Sequence, residues 1–187
     1  MSSELLSSDI LNAVTNYVAD LKKSVAFVLQ TGTHDKRKEL VDFLSALAAT
    51  SPLLTLEQRD TQGSLRSPIS FTLEADGAAT GIMFSGIPSG HEFNSLILAI
   101  LQGGGASELK LDASIVETVQ SINEPVRFEV FISLSCHNCP DVVQTLNKFA
   151  LLNQNISAEM IDGGLFQDII DDRDIQGVPS VFMNGEL

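Results

Sequence analysis

One stretch of the chain decides the fold: residues 126–152 run VRFEVFISLSCHNCPDVVQTLNKFALL. The segment Val126–Ser133 is short, apolar and rich in β-branched and aromatic residues, which predicts a strand. Residues 140–152 carry apolar side chains at helical spacing, at Val142, Leu146, Phe149 and Ala150. The two cysteines of the chain, Cys136 and Cys139, therefore stand where a predicted strand gives way to a predicted helix.

This position suits dithiol–disulfide chemistry. The thiolate is the reactive form of cysteine, and unpaired N–H groups at a helix start stabilise it together with the helix dipole. We expect Cys136 to be the exposed, attacking thiol and Cys139, within the first turn, to resolve a mixed disulfide. Pro140 fits the same turn, since its missing N–H would have no helical partner there. His137 and Asn138, between the cysteines, are expected to tune the redox potential.

Two other interpretations of the cysteine pair stay open. Zinc usually needs four ligands, in two such pairs or in one pair with two spaced histidines. The three histidines, at 34, 91 and 137, form no spaced pair. Purely structural or chance cysteines are the second alternative. The position between strand and helix favours a redox pair and no metal.

The first half of the chain repeats the order of elements in the second. Each half runs helix, strand, turn, helix, strand, connection, x-Pro, strand. Each strand–helix–strand unit predicts a parallel pair, and the strand after x-Pro is predicted to join antiparallel. The predicted helices are 9–21, 40–48, 89–101, 109–119, 140–152 and 164–171, and the predicted strands are 24–30, 53–57, 69–73, 80–84, 126–133, 156–161 and 180–183.

This order is the thioredoxin plan with an extra leading helix. The predicted fold is α/β, with two tandem thioredoxin-like folds in residues 1–105 and 106–187, divided at Gly103-Gly104-Gly105. A shift of about 102 positions lays His34 on Cys136 and Arg37 on Cys139. The first copy contains no cysteine, so only the second is predicted to be redox-active.

Val178-Pro179 opens the last predicted strand. A proline is ordinary at a strand start. In a thioredoxin-like fold this Val–Pro bond would be cis and would face the cysteines, leaving the preceding backbone free to bind a substrate peptide. Val178 and Pro179 are therefore predicted to form the substrate groove. Pro68 holds the matching position in the first copy, where only a structural role is expected.

Composition excludes several classes of protein. The 187 residues carry a net charge of −13, which disfavours a nucleic-acid partner. The first residues, Met1 to Leu6, lack the basic start and apolar stretch of a secretory signal, and no apolar run is long enough to span a bilayer. We expect a cytoplasmic protein without a membrane partner.

The sequence strongly resembles the N-terminal domain of a family of flavoproteins, the F subunits of alkyl hydroperoxide reductase. Four segments of the second half carry the resemblance, and a fifth, Gly90-His91-Glu92-Phe93, lies in the first half. The second-half segments are Ser133–Gln144, Ile161–Gly164, Gly177–Pro179 and Asn184-Gly185.

The resemblance implies an electron relay. Members of that family pass electrons from NADH through FAD and a second disulfide to the N-terminal domain. That domain then reduces the disulfide of a partner peroxiredoxin, the C subunit of alkyl hydroperoxide reductase. The full-length protein is expected to be a homodimer. This chain has no Gly-x-Gly-x-x-Gly after a strand, so we expect it to bind neither FAD nor NADH itself. It stops at Leu187, before a final hairpin strand and closing helix, and is expected to be part of a longer protein.

Two questions stay open from the sequence. The chain could instead be a free-standing glutaredoxin-like disulfide reductase or a non-enzymatic thioredoxin-like binding module. Glu92 also has two interpretations. Ser89-Gly90-His91-Glu92 fits the capping box Ser-x-x-Glu at a helix start, which explains Glu92 without chemistry. The resemblance and a groove between the two copies favour an acid/base role beside Cys136 and Cys139.

Overall fold

A computed structural model describes residues 5–187. Residues 1–4 lie outside the described part. The prediction that no secretory signal is present rests partly on these residues. The helices are α1 (Ser8–Val18), α2 (Arg37–Ala48), α3 (Phe93–Gly103), α4 (Ala113–Gln120), α5 (Cys139–Leu152) and α6 (Gln167–Asp172), with a short 3₁₀ turn at Gly90–Glu92. The strands are β1 (Val25–Gln30), β2 (Leu54–Arg59), β3 (Ser70–Ala75), β4 (Ala78–Ser85), β5 (Val126–Ile132), β6 (Ile156–Asp162) and β7 (Ser180–Met183).

The strands form one continuous seven-stranded sheet in the order β2-β1-β3-β4-β6-β5-β7. The parallel pairs predicted for each half are present, β1 with β2 and β5 with β6. The strands that follow Pro68 and Pro179 are antiparallel to their neighbours, as predicted. A parallel pairing of β4 with β6 joins the two halves of the chain into a single sheet.

The internal repeat is visible in the positions of the elements. Helices α2 and α5 begin at Arg37 and Cys139, and strands β2 and β6 begin at Leu54 and Ile156. Both pairs are 102 positions apart, which agrees with the shift expected from the sequence. The fold is mixed α/β, and the division into domains at residue 105 stays a prediction.

Helices α3 and α5, one from each half, pack against each other in parallel. Gln144 Nε2 donates to Ser95 Oγ over 3.2 Å. Eight residues further along α3, a β-carbon added to Gly103 would lie 3.9 Å from Leu151 Cδ2, which is seven residues further along α5. The contacts advance in the same direction, so the two helix N-termini lie at the same end of the molecule.

Several boundaries differ from the predicted ones. Helix α1 runs from Ser8 to Val18 instead of over the predicted 9–21, and Ser7 caps it, since its Oγ accepts the Ile10 N–H over 3.3 Å. Helix α6 begins at Gln167 and not at Gly164, because Asp162 accepts the Gly164 N–H and turns the chain first. Strand β2 continues to Arg59, since backbone pairing with β1 also holds its polar end.

No helix in residues 5–187 combines the length and the apolar character that crossing a membrane requires.

Candidate redox site

The two cysteines form a disulfide at the start of α5. Their Cα atoms are 5.6 Å apart, and the Cys139 N–H donates to Cys136 Sγ over 3.2 Å. Cys139 is fully buried, whereas Cys136 is partly exposed. Asn138 is the N-cap residue of α5, and Pro140 lies in the first turn. The Cys139 N–H at this helix start therefore faces Cys136 Sγ, where a thiolate would form on reduction.

The loop before β7 approaches the disulfide from the other side. Cys136 Sγ lies 4.0 Å from the Val178 carbonyl oxygen. The Val178–Pro179 bond is the only cis peptide bond in residues 5–187, so the bond before Pro68 is not cis. Val178 is 37% exposed. An extended peptide that met the disulfide would also meet this backbone.

The first half of the chain contributes a histidine to the site. The rings of His91 and His137 have their centroids 4.3 Å apart at an interplanar angle of 60°. The His91 N–H donates to the carbonyl oxygen of Leu134, two residues before Cys136, over 3.1 Å. His91 belongs to a segment that carries the family resemblance, but the sequence pattern predicts no role for it.

The capping box predicted for Glu92 is wrong. The segment enters α3 through the 3₁₀ turn Gly90–Glu92, and Ser89 makes no side-chain cap hydrogen bond. The Glu92 N–H donates to the Ser89 carbonyl instead of to its hydroxyl. The capping box does not form because a tertiary contact holds the turn, the hydrogen bond from the His91 N–H to the Leu134 carbonyl oxygen.

Glu92 is a buried carboxyl without a good partner. Its relative exposure is 0%, and neither carboxyl oxygen has a hydrogen-bond partner of ordinary geometry. Burial raises the pKa of Glu92, because the charged form loses its hydration, and the nearby Ser95 hydroxyl offsets this only in part. Glu92 directly precedes α3, and its turn packs against α5, whose first residue is Cys139. A buried carboxyl with a raised pKa at this end of the molecule makes Glu92 a candidate site residue.

Asp162 is a second buried carboxyl at this edge of the sheet, and no local pattern in the sequence assigns it a role. It ends β6 beside Ile132, the last residue of β5, and is 7% exposed. Burial raises the pKa of Asp162, and the Gly164 N–H partly offsets this by donating to Oδ1 over 3.0 Å. Its one sequence signal is the segment Ile161–Gly164, which carries the family resemblance.

The position of Cys139 is taken by Arg37 in the first half. The Arg37 guanidinium donates to the carbonyl oxygens of Gln30 and Pro68, and to Gln58 Oε1 over 2.8 Å. A charged side chain thus ties together the ends of β1 and β2 and the loop before β3. This is a structural role without redox chemistry. In residues 5–187 no group of three or more His, Cys, Asp or Glu side chains is arranged to hold a metal ion.

The fold and the site together define a class, a mixed α/β thioredoxin-like oxidoreductase with a Cys-x-x-Cys disulfide at a helix start. The F subunit of alkyl hydroperoxide reductase from Pseudomonas aeruginosa is 42% identical over 183 residues, which cover 98% of this chain and 34% of the relative. A crystal structure of the NTD_N/C domain of alkylhydroperoxide reductase AhpF from Enterococcus faecalis superposes with a TM-score of 0.88 at 32% identity, covering 97% of this chain and 92% of that one. The chain belongs to the family of alkyl hydroperoxide reductase F subunits.

Other comparisons agree with this family. A family model described as a thioredoxin domain matches residues 126–187. The F subunit of Staphylococcus aureus strain NCTC 8325 is 41% identical over 182 residues, 97% of this chain and 34% of the relative. A protein disulfide oxidoreductase from Aeropyrum pernix K1, with a TM-score of 0.81 at 23% identity over 97% of this chain and 85% of that one, shares the fold. The chain spans about a third of the length of the curated relatives.

Proposed function

We propose that this chain is a dithiol–disulfide electron relay that accepts electrons from a flavoprotein disulfide and reduces the disulfide of a peroxiredoxin. The observation that carries the proposal is the asymmetric disulfide: Cys136 is partly exposed beside the Val178 carbonyl, whereas Cys139 is fully buried. Only one sulfur is accessible to a partner, which is what an ordered thiol exchange requires.

The reaction proceeds in two balanced exchanges. A donor dithiol reduces the Cys136–Cys139 disulfide with two electrons and two protons and becomes a disulfide itself. The Cys136 thiolate then attacks one sulfur of the partner disulfide, forms a mixed disulfide and releases one partner thiolate. The Cys139 thiolate attacks Cys136 Sγ, which re-forms the intramolecular disulfide and releases the second partner thiolate. Two protons leave the relay with the electrons and reach the partner thiols.

Glu92 is assigned the proton transfer that the buried cysteine needs. Cys139 is fully buried, and its thiol must lose a proton before it attacks. Glu92 is buried without a good partner, and its turn packs against the helix that Cys139 begins. As a general base it would accept the Cys139 proton, while His137 and Asn138 tune the potential of the pair.

The remaining assignments concern the parent protein. Residues 1–105 and 106–187 are proposed as two thioredoxin-like units, of which only the second carries electrons. The repeated strand order of the two halves supports this division. FAD and NADH are assigned to the flavin domain of the same parent protein, and no residue of this chain is assigned to them. The parent protein is proposed to be a cytoplasmic homodimer whose partner is a peroxiredoxin, the C subunit of alkyl hydroperoxide reductase.

The test is transfer of electrons to a peroxiredoxin. The chain is reduced, freed of reductant and mixed with an oxidised two-cysteine peroxiredoxin, and the thiols of each protein are counted after separation. We expect two peroxiredoxin thiols to appear for each chain that is oxidised, and none with Cys136→Ser. A chain that stays reduced beside an oxidised peroxiredoxin, while it still reduces a small-molecule disulfide, would refute the proposed partner.

A further inference from the structure

His91 and His137 meet although they lie 46 positions apart, in the two halves of the chain. His137 is the residue after Cys136, so the contact brings a ring from the first half to the edge of the redox centre. Both side chains are exposed, which means that burial in a common core does not explain their contact.

The backbone fixes the position of His91. Gly90 adopts a φ of +56°, a left-handed conformation that favours glycine, and a β-carbon at this position would lie 2.7 Å from the Leu134 carbonyl oxygen. The same oxygen accepts the His91 N–H over 3.1 Å. Because Gly90 has no side chain, the backbone can lie close to the redox loop. This close approach places the His91 imidazole beside His137.

We propose that His91 is a positioning residue of the redox centre, which holds the His137 ring beside Cys136. The inference rests on the proposed function, because it assigns a role in the same thiol exchange. The reactive form of reduced Cys136 is the thiolate, and a histidine ring held at its side can stabilise that thiolate by charge or as a hydrogen-bond donor. Without His91, the exposed His137 side chain is free to turn away into solvent.

The titratable groups near this contact come from four elements. Glu92 lies on the same turn, His137 and the two cysteines lie on the redox loop, and Asp141 and, further along, Lys148 lie on α5. Asp162 ends β6 beside Gly86, in the loop that leads to His91. The first turn of α3 carries no acidic side chain. Any change that follows from removal of the His91 ring therefore acts on a small and defined set of charges.

The test is a double-mutant cycle on the redox couple. We expect His91→Ala to lower the equilibrium constant for reduction of the disulfide by glutathione about threefold, and to raise the titration midpoint of the Cys136 thiolate absorbance. His137→Ala should produce an effect at least as large. The double variant should equal His137→Ala alone, because His91 acts through His137. His91→Phe keeps a ring in contact with His137 and should restore most of the wild-type value.

The controls separate this role from general stability and from the proposed function. His34→Ala removes an exposed histidine of the first half and should leave the couple unchanged. Effects of His91→Ala and His137→Ala that add, or a His91→Ala couple equal to the wild type, would overturn the proposal. Because the glutathione equilibrium needs no protein partner, the result stands apart from peroxiredoxin turnover, whose failure in the wild-type chain would refute the proposed function alone.

Discussion

Arg66 and Glu159, from opposite halves of the chain, form a bidentate ion pair. Glu159 lies on β6, the strand that pairs with β4 and so joins the two halves of the sheet. Arg66 Nε lies 2.5 Å from Glu159 Oε1, and Nη2 lies 2.8 Å from Oε2. The Arg66 side chain is 16% exposed and that of Glu159 only 1%. Because both side chains are largely removed from water, loss of either one would leave an uncompensated buried charge.

The pair belongs to a larger network of charged side chains. Arg66 Nη2 also donates to Glu129 on β5 over 2.6 Å. Glu129 accepts in turn from Arg173, at the end of α6, over 2.8 Å. The Arg173 guanidinium lies over the ring of Phe182 on β7, 4.8 Å from its centroid. The network therefore connects the first half of the chain to the strands on either side of the Cys136 and Pro179 loops.

Replacement of Arg66 by methionine should destabilise the protein severely. The buried carboxylates of Glu159 and Glu129 would each lose a charged partner, a change that typically costs about 3–5 kcal/mol. Urea unfolding monitored by circular dichroism measures the difference. Lys38→Met, which breaks the exposed pair with Asp42, is the matched control and should cost less than about 1 kcal/mol. Equal unfolding midpoints for the two variants would contradict this prediction.

The network also predicts a dependence on pH. Burial alone would raise the pKa of Glu159, but hydrogen bonds and charge from Arg66, with Ser85 and Arg127, outweigh it and lower the pKa. Burial opposes Arg173 and Arg66 at Glu129 in the same way, and the pKa of Glu129 is again lowered. Carboxylates with a lowered pKa stabilise the fold above their unfolded pKa, and this contribution is lost as the pH falls through the folded value.

The stability difference between wild type and Arg66→Met should therefore shrink on acidification. The unfolded chains titrate alike at Glu129 and Glu159, so the difference depends on the folded pKa values of the two proteins. It should be full above the folded pKa values in the variant, which are higher because Arg66 no longer opposes burial, and should decline as the pH falls through them towards the lowered wild-type values. Urea unfolding of both proteins at a series of pH values gives the difference directly, and contributions from other carboxyls largely cancel. A difference that stays constant down to about pH 3 would show that these glutamates are not ionised partners of Arg66.

The sequence predicted the order of elements along each half and the position of the cysteines between a strand and a helix, because these depend on local patterns. Strand β7 was predicted with its observed bounds, and α5 to within one residue. The role of Arg66 could not be predicted from the sequence, since its partners Glu129 and Glu159 lie 63 and 93 positions away along the chain. Glu92 was ambiguous for the same reason. A capping box is a local pattern, whereas the conformation of this turn depends on a contact with Leu134, from the other half of the chain.

Gly90 should tolerate no side chain. Alanine at a φ of +56° costs about 1–2 kcal/mol in backbone strain, and its β-carbon would lie 2.7 Å from the Leu134 oxygen. Gly77 has a φ of +78° with no atom within 4 Å, so Gly77→Ala measures the strain alone. We expect Gly90→Ala to lose at least about 1 kcal/mol more than Gly77→Ala in urea unfolding. Equal losses would contradict the prediction, because the contact with the Leu134 oxygen would then add nothing to the backbone strain.

Cys139→Ser should trap the relay on its partner. The variant retains the attacking Cys136 thiolate but lacks the thiol that resolves the mixed disulfide. Mixed with an oxidised peroxiredoxin, it should form a covalent adduct that dithiothreitol reverses, and peptide mapping should place the bond at Cys136. Cys136→Ser is the control and should form little adduct, because Cys139 is fully buried. Adducts of equal yield from the two variants would refute the assigned roles.

Glu92→Gln should stabilise the protein at neutral pH. A buried carboxyl whose pKa is raised contributes stability while it is protonated, and that contribution is lost as the pH rises through the folded pKa. Above the unfolded glutamate pKa, the folded protein must either ionise this buried carboxyl or take up a proton on it, and glutamine avoids both costs. We expect the variant to gain at least about 1 kcal/mol at about pH 8 and to match wild type near pH 4. The exposed Glu124→Gln is the control and should change stability little at either pH.

The same variant tests whether Glu92 takes part in the thiol exchange. If Glu92 takes the Cys139 proton, Glu92→Gln should slow the attack of Cys139 on the mixed disulfide, which releases the peroxiredoxin, and should alter the pH profile of that step in stopped-flow experiments. The preceding attack of Cys136 on the peroxiredoxin disulfide should be unaffected. A variant that is more stable at about pH 8 yet resolves the mixed disulfide at the wild-type rate would remove Glu92 from the chemistry. A variant that is less stable at the same pH would show instead that the carboxyl has a structural partner.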